Sequence, residues 1–500
     1  MTIALLSLML PLVSMPQDPQ KLATTSTNGL AVDLYGRLAA GAPDTNLFLS
    51  PWSIATALAM TAEGAGGDTL AEMRRTLHLG DGGLSDVHAS FAALQQSLTA
   101  GSGSLPEATR TRIAALRAEL AQHNAAAERL VGANKYREAE ESQTKAERTA
   151  RALNELLATA DCYELRAANA LWCDRGSPLL PTFLATLGRH YGTGGANLVD
   201  FRGNPEGVRG TINGWVADRT EQRILDLIPQ GCVTSDTRLV LTNAVWFRGE
   251  WKTPFEASQT NDAVFTHTNG QTTTVRLMHD GWRADVPYAA FTGTGEYFDT
   301  PEMVPSDGSL LAATYPDADG FQIAELPYKG GDLAMVVLLP RRHDGLAKIE
   351  RLLTADNLAN WLGNLERREV DTALPRFQQR SDFRLGMTLR GLGMGRAFTP
   401  PTDTGGAQFE GINGATEALQ KLFIGEVVHQ AFVEVSEKGT EAAAATAVMM
   451  ACGAAAPPPV EMVPFKPVFR ADRPFLFLIR DTKSGAILFL GRVHQPTKAV

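Results

Sequence analysis

The chain has 500 residues, enough for one large domain or for two to three small ones. Its apolar fraction of 44% and charged fraction of 20% are ordinary for a soluble globular protein, and its four cysteines are too few for a disulfide scaffold. A formal net charge of -9 argues against nucleic-acid binding, which needs a basic face, so we expect no nucleic-acid partner.

The N-terminus carries an uncharged apolar run from Ile3 to Val13. The run is too short to cross a bilayer, but it has the length of a signal-peptide core. We therefore expect residues 1–16 to be a signal peptide and the protein to be secreted into the periplasm or the extracellular space. No Lys or Arg precedes the run, so a buried N-terminal helix is the alternative. No later segment is apolar enough over a sufficient length to span a membrane, so we expect no membrane association.

The first hundred residues are predicted to be mainly helical. Leucines recur every fourth residue within 28–40, which is helical spacing. A short apolar strand, a Ser-Pro break and a helix follow, with Ser50 at the expected N-cap and Pro51 at the first helical position. Two more amphipathic helices are predicted in DTLAEMRRTLHL and VHASFAALQQSL.

Residues 106–152 have a different composition from their surroundings. Apolar or small residues recur at spacings of three and four in two arms separated by the sequence GANK. This pattern predicts a helical hairpin. A single pair of helices cannot form a solenoid, which needs several stacked repeats. Because both arms carry mixed charge, we interpret the hairpin as a solvated insertion. An arm that docks a partner is the alternative.

The second half of the chain is rich in predicted strands. YELRAANALW is typical of a strand, and TRLVLTNAVWFRGEW predicts a long strand buried on both faces because it is almost continuously apolar. Two apolar hairpins are predicted to turn at Gly330-Gly331 and at Lys483-Ser484-Gly485. Helices followed by antiparallel strands indicate an α+β fold.

Three further predictions concern this half of the chain. GTINGWVADRTEQRILDLIP predicts a helix that ends at Pro229, and residues 286–312 predict a loop insertion, since they are rich in Gly, Thr, Pro and Asp. Cys162 and Cys173 lie at opposite ends of one predicted strand. At about 3.3 Å per residue they are too far apart for a disulfide.

The stretch EKGTEAAAATAV, from Glu437 to Val448, contains four consecutive alanines, which are the best helix formers. Gly439 and two threonines frame the alanines, and three prolines begin at Pro457. Composition alone therefore leaves the role of this run of small residues open.

Six stretches along the chain resemble the serpins, a family of serine protease inhibitors, and they occur in the family's order. The resemblance runs from about residue 28 to residue 494 and implies a single serpin domain over 28–494. Its fold would be α+β, with helices around a large mixed or antiparallel central sheet, smaller sheets and an exposed reactive loop over 437–465. The predicted insertions fall outside the matching stretches, which are NLFLSPWSIATALAM, YELRAANALW, TRLVLTNAVWFRGEWKTPF, ELPYKGGDLAMVVLLP, VVHQAFVEVSEKGTEAAAATAV and ADRPFLFLIRDTKSGAILFLGRV.

The resemblance also implies roles for particular residues. A polar cluster under the central sheet, where strands part, matches Ser50, Ser53, Asn243 and His429. Trp251 matches the tryptophan where the reactive loop first enters that sheet. Buried polar residues commonly do no more than complete a hydrogen-bond network. Here that structural role and the role implied by the family nearly coincide, because the network holds a movable sheet together. The hinge of the reactive loop matches Glu437, Gly439, Thr440, Ala442, Ala443, Ala444, Ala445 and Thr446.

The hinge sequence would permit insertion as a strand, in which alternate residues face opposite sides. One set has no charge, and its first four members are small: Thr440, Ala442, Ala444, Thr446, Val448 and Met450. The other set has a single charge, Glu441, near the solvent end. No proline interrupts the stretch before Pro457. A plain helical linker is the alternative, and it leaves the uncharged face unexplained.

The family implies a suicide-substrate inhibitor, which supplies no catalytic residue and needs no cofactor or metal. A protease would cut the loop at Gly453-Ala454, with Met450, Ala451 and Cys452 as further candidates. None of these is basic, so we expect the target to be an elastase-like or subtilisin-like serine protease, or a cysteine protease. We expect the inhibitor to be a monomer. Cys452 is either an oxidisable thiol or a tolerated small residue.

Two other functions are weighed against this one. The first is a non-inhibitory serpin that binds a partner, or acts as a carrier or chaperone, through the 106–152 hairpin. Such members often have charged or bulky hinge residues, which this chain lacks. The second is an enzyme, but the chain has no G-x-S-x-G elbow, no metal-spaced His/Cys cluster and no phosphate-binding loop.

Overall fold

A computed structural model describes most of the chain. The described ranges are 18–101, 107–132, 135–159, 163–191, 196–305, 317–402, 405–417, 420–439 and 462–497. The predicted signal peptide lies outside them, as do Cys162 and residues 440–461 of the predicted reactive loop.

Helices dominate the first part of the described chain. The α-helices are α1 (Lys21–Gly41), α2 (Pro51–Ala62), α3 (Gly67–Thr76), α4 (Leu84–Gly101), α5 (Glu107–Gly132), α6 (Tyr136–Thr159), α7 (Pro181–Tyr191), α8 (Pro205–Arg219), α9 (Leu346–Leu352), α10 (Ala355–Gly363), α11 (Gly386–Gly391) and α12 (Glu410–Asn413).

Strands dominate from residue 164 onward. They are β1 (Leu47–Leu49), β2 (Glu164–Asp174), β3 (Ala196–Val199), β4 (Leu239–Arg248), β5 (Asn261–Thr266), β6 (Thr272–Phe291), β7 (Tyr297–Phe298), β8 (Met303–Pro305), β9 (Phe321–Pro327), β10 (Leu333–Pro340), β11 (Glu366–Pro375), β12 (Phe377–Arg384), β13 (Glu426–Val435), β14 (Met462–Pro464), β15 (Val468–Arg470), β16 (Phe475–Asp481) and β17 (Ile487–Val493).

The strands form two sheets and one ribbon. A five-stranded mixed sheet has the order β12-β13-β4-β2-β3, in which β13 and β4 are parallel neighbours. A ten-stranded sheet follows the path β1-β17-β16-β10-β9-β6-β11-β15, with β5 and β7 also paired to β6. β8 and β14 form a separate two-stranded ribbon. The predicted α+β class and serpin-like arrangement are confirmed.

The central strand β4 of the five-stranded sheet is buried on both faces. On β4, Leu241 and Val245 point into the main core, where the fully buried helix α2 packs between the two large sheets. Val240 and Ala244 point the other way, into a second core that includes Ile212 of α8. The nearly continuous apolar sequence of β4 is explained by this double burial, as predicted.

Several local predictions are confirmed. Ser50 caps α2, where its Oγ accepts the Ser53 N–H at 3.4 Å, and Pro51 takes the first helical position. The β9–β10 hairpin turns at Gly330 and Gly331, which have φ of 84° and 77°. Such left-handed backbone favours glycine. β16 and β17 form the second predicted hairpin.

The helix predicted to end at Pro229 ends at Arg219 instead. Glu221 and Gln222 have φ of 50° and 62°, a left-handed conformation that a right-handed helix cannot continue through. The Gln222 N–H donates to Ala217 O at 2.8 Å and closes this turn. Neither residue is glycine, so this stop carries no local sequence signal.

The prediction of a loop over 286–312 is wrong for the first part of that range. Val286–Phe291 complete the twenty-residue strand β6, with Tyr288 paired to Ala324 of β9 and to Glu366 of β11. β7 and β8 follow within the same stretch, and residues 306–312 lie outside the described ranges. Burial of Tyr288 to Phe291 against the main core explains the strand.

Two helices, α5 and α6, occupy the predicted helical hairpin and pack against each other. Leu116 and Leu153 form a small buried cluster with Leu120 and Ala152, separate from the two larger cores. The hairpin thus carries its own apolar contact.

None of the helices in the described ranges combines the length and apolar character of a membrane span. Nor do the described residues bring three or more His, Cys, Asp or Glu side chains together in a way that could hold a metal ion.

Candidate functional site

The boundary between β4 and β13, called the seam below, is where two parallel strands meet. It runs through seven residue pairs, from Val240 opposite Glu426 to Trp246 opposite Phe432. Asn243 of β4 lies opposite His429 of β13 at the middle of the seam.

Five polar residues meet beneath the middle of the seam. This polar cluster consists of Ser50, Ser53, Asn169, Asn243 and His429. The Asn243 amide donates to Ser53 Oγ at 2.6 Å and to Asn169 Oδ1 at 2.7 Å. Ser53 Oγ also donates to Asn169 Oδ1 at 2.7 Å. The cluster therefore joins α2 to three neighbouring strands.

His429 connects β13 to this cluster. Its Nε2 accepts the Ser50 N–H at 3.0 Å, which places the ring proton on Nδ1, and Nδ1 donates to Asn243 Oδ1 across the seam. The ring is fully buried and lies parallel to Phe383 of β12 at 6.3 Å between centroids. Burial lowers the pKa of His429 to about 3, so the imidazole is neutral.

Trp251 lies just beyond the end of β4, at the top of the seam. Its ring stacks on Tyr328 with 4.7 Å between centroids and an interplanar angle of 10°. Its Nε1–H donates to Ser436 O at 2.9 Å, and its backbone N–H donates to Lys438 O at 2.8 Å. The indole thus holds the chain that leaves β13.

Glu437 is a buried carboxylate in that exit, with 2% of its surface exposed. Its Oε1 accepts from Arg376 Nε at 2.6 Å and from the Thr260 hydroxyl at 2.5 Å. Such charge-assisted hydrogen bonds keep a buried charge from being unpaired. The Phe255 N–H donates to Glu437 O at 2.8 Å, so the residue is fixed through backbone and side chain together.

Gly439 ends the described chain before residue 440. It forms antiparallel bridges to Ser436, just past β13, and to Glu250, just past β4. Its φ is 138°, and a Cβ here would lie 2.1 Å from Gly249 O. Only glycine fits this close approach. Residues 436–439, called the hinge turn below, therefore sit between the ends of the two seam strands.

The predicted site residues fall into two groups. The structure brings Ser50, Ser53, Asn243 and His429 into contact and places Trp251 against the hinge turn, with Glu437 and Gly439 inside it. The remaining predicted hinge and cut-site residues lie outside the described ranges: Thr440, Ala442, Ala443, Ala444, Ala445, Thr446, Met450, Ala451, Cys452, Gly453 and Ala454.

Four contributing residues were missed from the sequence. Asn169 and Tyr328 lie inside stretches that resembled the family, so their polar and aromatic side chains were available signals. Arg376 and Thr260 lie far from Glu437 in sequence and carry no local motif. Only the fold brings them to the carboxylate.

The chain is similar to proteins of one known family. The model of the family described as "Serpin (serine protease inhibitor)" matches residues 25–117 and 113–496. An uncharacterized serpin-like protein of Thermococcus kodakarensis is 33% identical over 481 residues, covering 96% of this chain and 87% of the relative. The leukocyte elastase inhibitor of Sus scrofa is 32% identical over 483 residues, covering 95% of this chain and 100% of the relative.

A solved structure agrees with the fold. Uncleaved ovalbumin matches with a TM-score of 0.67 and 22% identity, covering 95% of this chain and 100% of that one. At this identity the match is evidence for the fold alone.

Proposed function

Because this chain belongs to the serpin family, we propose that it inhibits a serine endopeptidase as a suicide substrate. The protease cuts within residues 440–461 and is held as an acyl-enzyme. The freed segment then enters the seam as a new strand, before water releases the ester. One observation carries this proposal: the hinge turn already bridges the ends of both seam strands in antiparallel fashion. A strand between two parallel neighbours can be antiparallel to both.

The register of that new strand follows from the bridges at Gly439. Continuing them residue by residue puts Thr440 opposite Gly249 and Val435. The same continuation puts Thr446 opposite both Asn243 and His429. These two residues already face each other in the seam, so the two ladders agree with its present register.

The same register decides which side chains turn inward. Directly opposite residues share a face of a sheet. Thr440, Ala442 and Ala444 would therefore share the face of Val435, Val433 and Ala431, which are fully buried in the main core. The small uncharged set of the hinge suits that face. Glu441 would lie opposite Arg248 and Glu434, which are half-buried at the sheet's upper end.

The polar cluster would change partners when the seam opens. Inserting a strand separates β4 from β13 by about 9.6 Å, twice the usual strand spacing, so His429 can no longer reach Asn243. The Thr446 hydroxyl would lie between them. It can accept from His429 Nδ1–H and donate to Asn243 Oδ1, which avoids leaving two buried polar groups unsatisfied.

The target and setting belong to the same proposal. The uncharged sequence from Met450 to Ala455 suits an elastase-like or subtilisin-like protease. That a relative is named a leukocyte elastase inhibitor favours the first of these. We propose that the protein acts as a secreted monomer.

The test compares Thr440→Arg with Glu441→Arg, two neighbours that would face opposite sides. An unpaired guanidinium in the core costs several kcal/mol, and about 3 kcal/mol in the insertion barrier slows insertion roughly a hundredfold. We expect Thr440→Arg to be cut by subtilisin or pancreatic elastase without trapping it. Glu441→Arg should trap almost as well as the unmodified chain.

The readouts are the SDS-stable adduct and the mass of the released C-terminal fragment. Equal trapping by both variants would exclude insertion in this register. An inhibitory cut at Lys466 or Arg470, rather than between Met450 and Ala455, would overturn the assigned target class.

A further inference from the structure

A cleft of about 400 Å³ lies on the face of the five-stranded sheet that packs against α8. Its lining residues come from three parts of the chain: the turn after α8, the strands β12 and β13, and the C-terminal end of the described ranges. They are Gln222, Arg223, Gln378, Arg380, Phe432 and Thr497. The volume is within the range of small-molecule sites in proteins.

The floor of the cleft lies directly over the seam. Phe432 of β13 is opposite Trp246 of β4 on one side and opposite Arg380 of β12 on the other. Directly opposite residues share a face, so these three side chains point to the α8 side, as do Ala244 and Val428 of the second core. Neighbouring strands are about 4.8 Å apart, so the backbone positions of Trp246 and Arg380 are separated by about 9.6 Å.

One wall of the cleft is attached to the β4 side of the seam. The Arg223 guanidinium lies over the Trp246 ring, with 5.6 Å between Cζ and the ring centroid. Arg166 of β2, which is opposite Trp246, pairs with Glu221 at 3.3 Å. The turn that carries Gln222 and Arg223 is therefore tied to β4 and β2.

The other wall belongs to the β13 side of the seam. Gln378 and Arg380 lie two positions apart on β12 and share a face. The Thr497 hydroxyl donates to Gln378 O, which fixes the end of the described chain against this strand. Arg380 Nε lies 3.8 Å from Asp382 Oδ1. That distance is too long for a hydrogen bond, so this ion pair does not occupy the guanidinium N–H groups.

Two guanidiniums beside an aromatic floor favour one class of ligand. The planar fork of arginine matches a carboxylate in bidentate fashion, and both arginine and phenylalanine stack on flat rings. One guanidinium lies above Trp246, and the other belongs to a residue about two strand spacings away. A rigid two-ring scaffold holds two carboxylates at about this separation. Among the described residues, no acidic side chain lines the cleft.

We propose that this cleft binds a planar aromatic dicarboxylate and that the bound ligand holds the seam shut. The second part rests on the proposed function. Entry of a strand between β4 and β13 would move the two walls apart by one strand spacing, about 4.8 Å. A dianion paired with Arg223 and Arg380 cannot follow both guanidiniums, since charge-assisted hydrogen bonds need about 2.7–2.9 Å. The ligand therefore favours the closed seam by the ratio of its affinities for the two arrangements.

Isothermal titration calorimetry of the uncut chain with naphthalene-2,6-dicarboxylate tests the site. We expect saturable binding that is about tenfold weaker in Arg380→Gln and in Arg223→Gln, the usual effect of losing a hydrogen bond to a charged group. Arg384→Gln is the matched control. Arg384 lies on the same strand and face as Arg380, but it pairs with Glu426 at 3.0 Å outside the cleft. This variant should bind as tightly as the unmodified chain.

Uncharged naphthalene-2,6-dimethanol gives a test that needs no variant. It has the same ring system and nearly the same length but no charge, so we expect its binding to be at least about tenfold weaker than that of the dicarboxylate. Equal affinity for the diol and the dicarboxylate would overturn the site. Equal affinity of all the variants for the dicarboxylate, or the absence of saturable heat, would overturn it as well.

The hold on the seam is tested with subtilisin. Saturating dicarboxylate should lower the yield of SDS-stable adduct several-fold in the unmodified chain and in Arg384→Gln, with little effect on Arg380→Gln. Hydrolysis of a chromogenic peptide by subtilisin alone, with and without the dicarboxylate, controls for an effect on the protease. An unchanged adduct yield under conditions where calorimetry shows a saturated site would overturn the hold on the seam.

The outcomes keep the site apart from the proposed function. No adduct from the unmodified chain without ligand would overturn the proposed function, whereas calorimetry on the uncut chain would still decide the site. The hold on the seam is then measured by comparing the uncut chain with the chain cut within 440–461. We expect the cut chain to bind the dicarboxylate at least about tenfold more weakly, because its walls would stand one strand further apart. Equal affinity of the two forms would overturn the hold on the seam.

Discussion

The neutral imidazole of His429 makes the polar cluster sensitive to pH. Burial lowers its pKa to about 3, whereas in the unfolded chain the pKa returns to about 6.5. As the pH falls below 6.5 the unfolded chain binds a proton that the folded chain does not. Stability that is fully present above pH 6.5 is therefore lost progressively as the pH falls towards 3.

His429→Gln should remove part of this pH dependence. A glutamine amide can accept the Ser50 N–H and donate to Asn243 Oδ1, but it does not titrate. At pH 5 the unmodified chain should lose about 2 kcal/mol of unfolding free energy relative to pH 7 through His429, and the variant should not. Urea midpoints at the two pH values measure the difference.

Other histidines do not confuse this comparison. Burial also lowers the pKa of His88 and His494, but both remain in each protein. An identical change of midpoint with pH in the two proteins would show that His429 does not titrate as described.

At the scale of elements, we expect the hairpin of α5 and α6 to be removable as a unit. Its apolar contact is its own, and the Tyr163 hydroxyl donates to Leu98 O at 2.9 Å, which keeps the flanking chain ends close. We expect replacement of Glu107–Thr159 by a short Gly/Ser linker to leave a folded inhibitor. Circular dichroism melting and adduct formation with subtilisin are the measurements. A folded variant that forms no adduct would place the hairpin in target docking.

Most elements could be predicted from local pattern. β4 was visible because burial on both faces demands a continuous apolar run, and the hairpin turns were visible because glycine alone tolerates their backbone. The end of α8 could not be predicted, since Glu221 and Gln222 adopt a left-handed backbone conformation although neither is glycine. β8 was missed because its pairing with β14 is a long-range contact between two three-residue strands.

The candidate site was predictable to the extent that it resembled a family. Ser50, Asn243, His429 and Trp251 were identified through matching stretches rather than through their spacing. The partners of Glu437 were not identified, because an arginine before β12 gives no sign of a carboxylate sixty-one positions away. Long-range charge pairs depend on the completed fold.

At the scale of the molecule, the uncut chain would not have its most stable arrangement. An inserted strand of about ten residues would replace the one hydrogen-bond ladder between β4 and β13 with two ladders, one to each strand. The net gain is about ten hydrogen bonds. At roughly 1 kcal/mol each this is about 10 kcal/mol, which raises the unfolding midpoint of a chain this size by on the order of 10 °C. We expect calorimetry of the chain cut within 440–461 to show such a rise. A variant lacking residues 440–449 is the control, and an unchanged midpoint in the cut chain would contradict an inserted strand.

The position of Gly439 at the mouth of the seam has a consequence for the protein in concentrated solution. If the seam admits the reactive segment as proposed, its contacts with backbone and small side chains would not distinguish its own segment from the same segment of another molecule. Its own segment is favoured by attachment, because a short tether gives an effective concentration in the millimolar range. Under the proposed mechanism, connectivity would therefore reserve the seam for the molecule's own strand, and that advantage would shrink as the protein concentration approaches the same range.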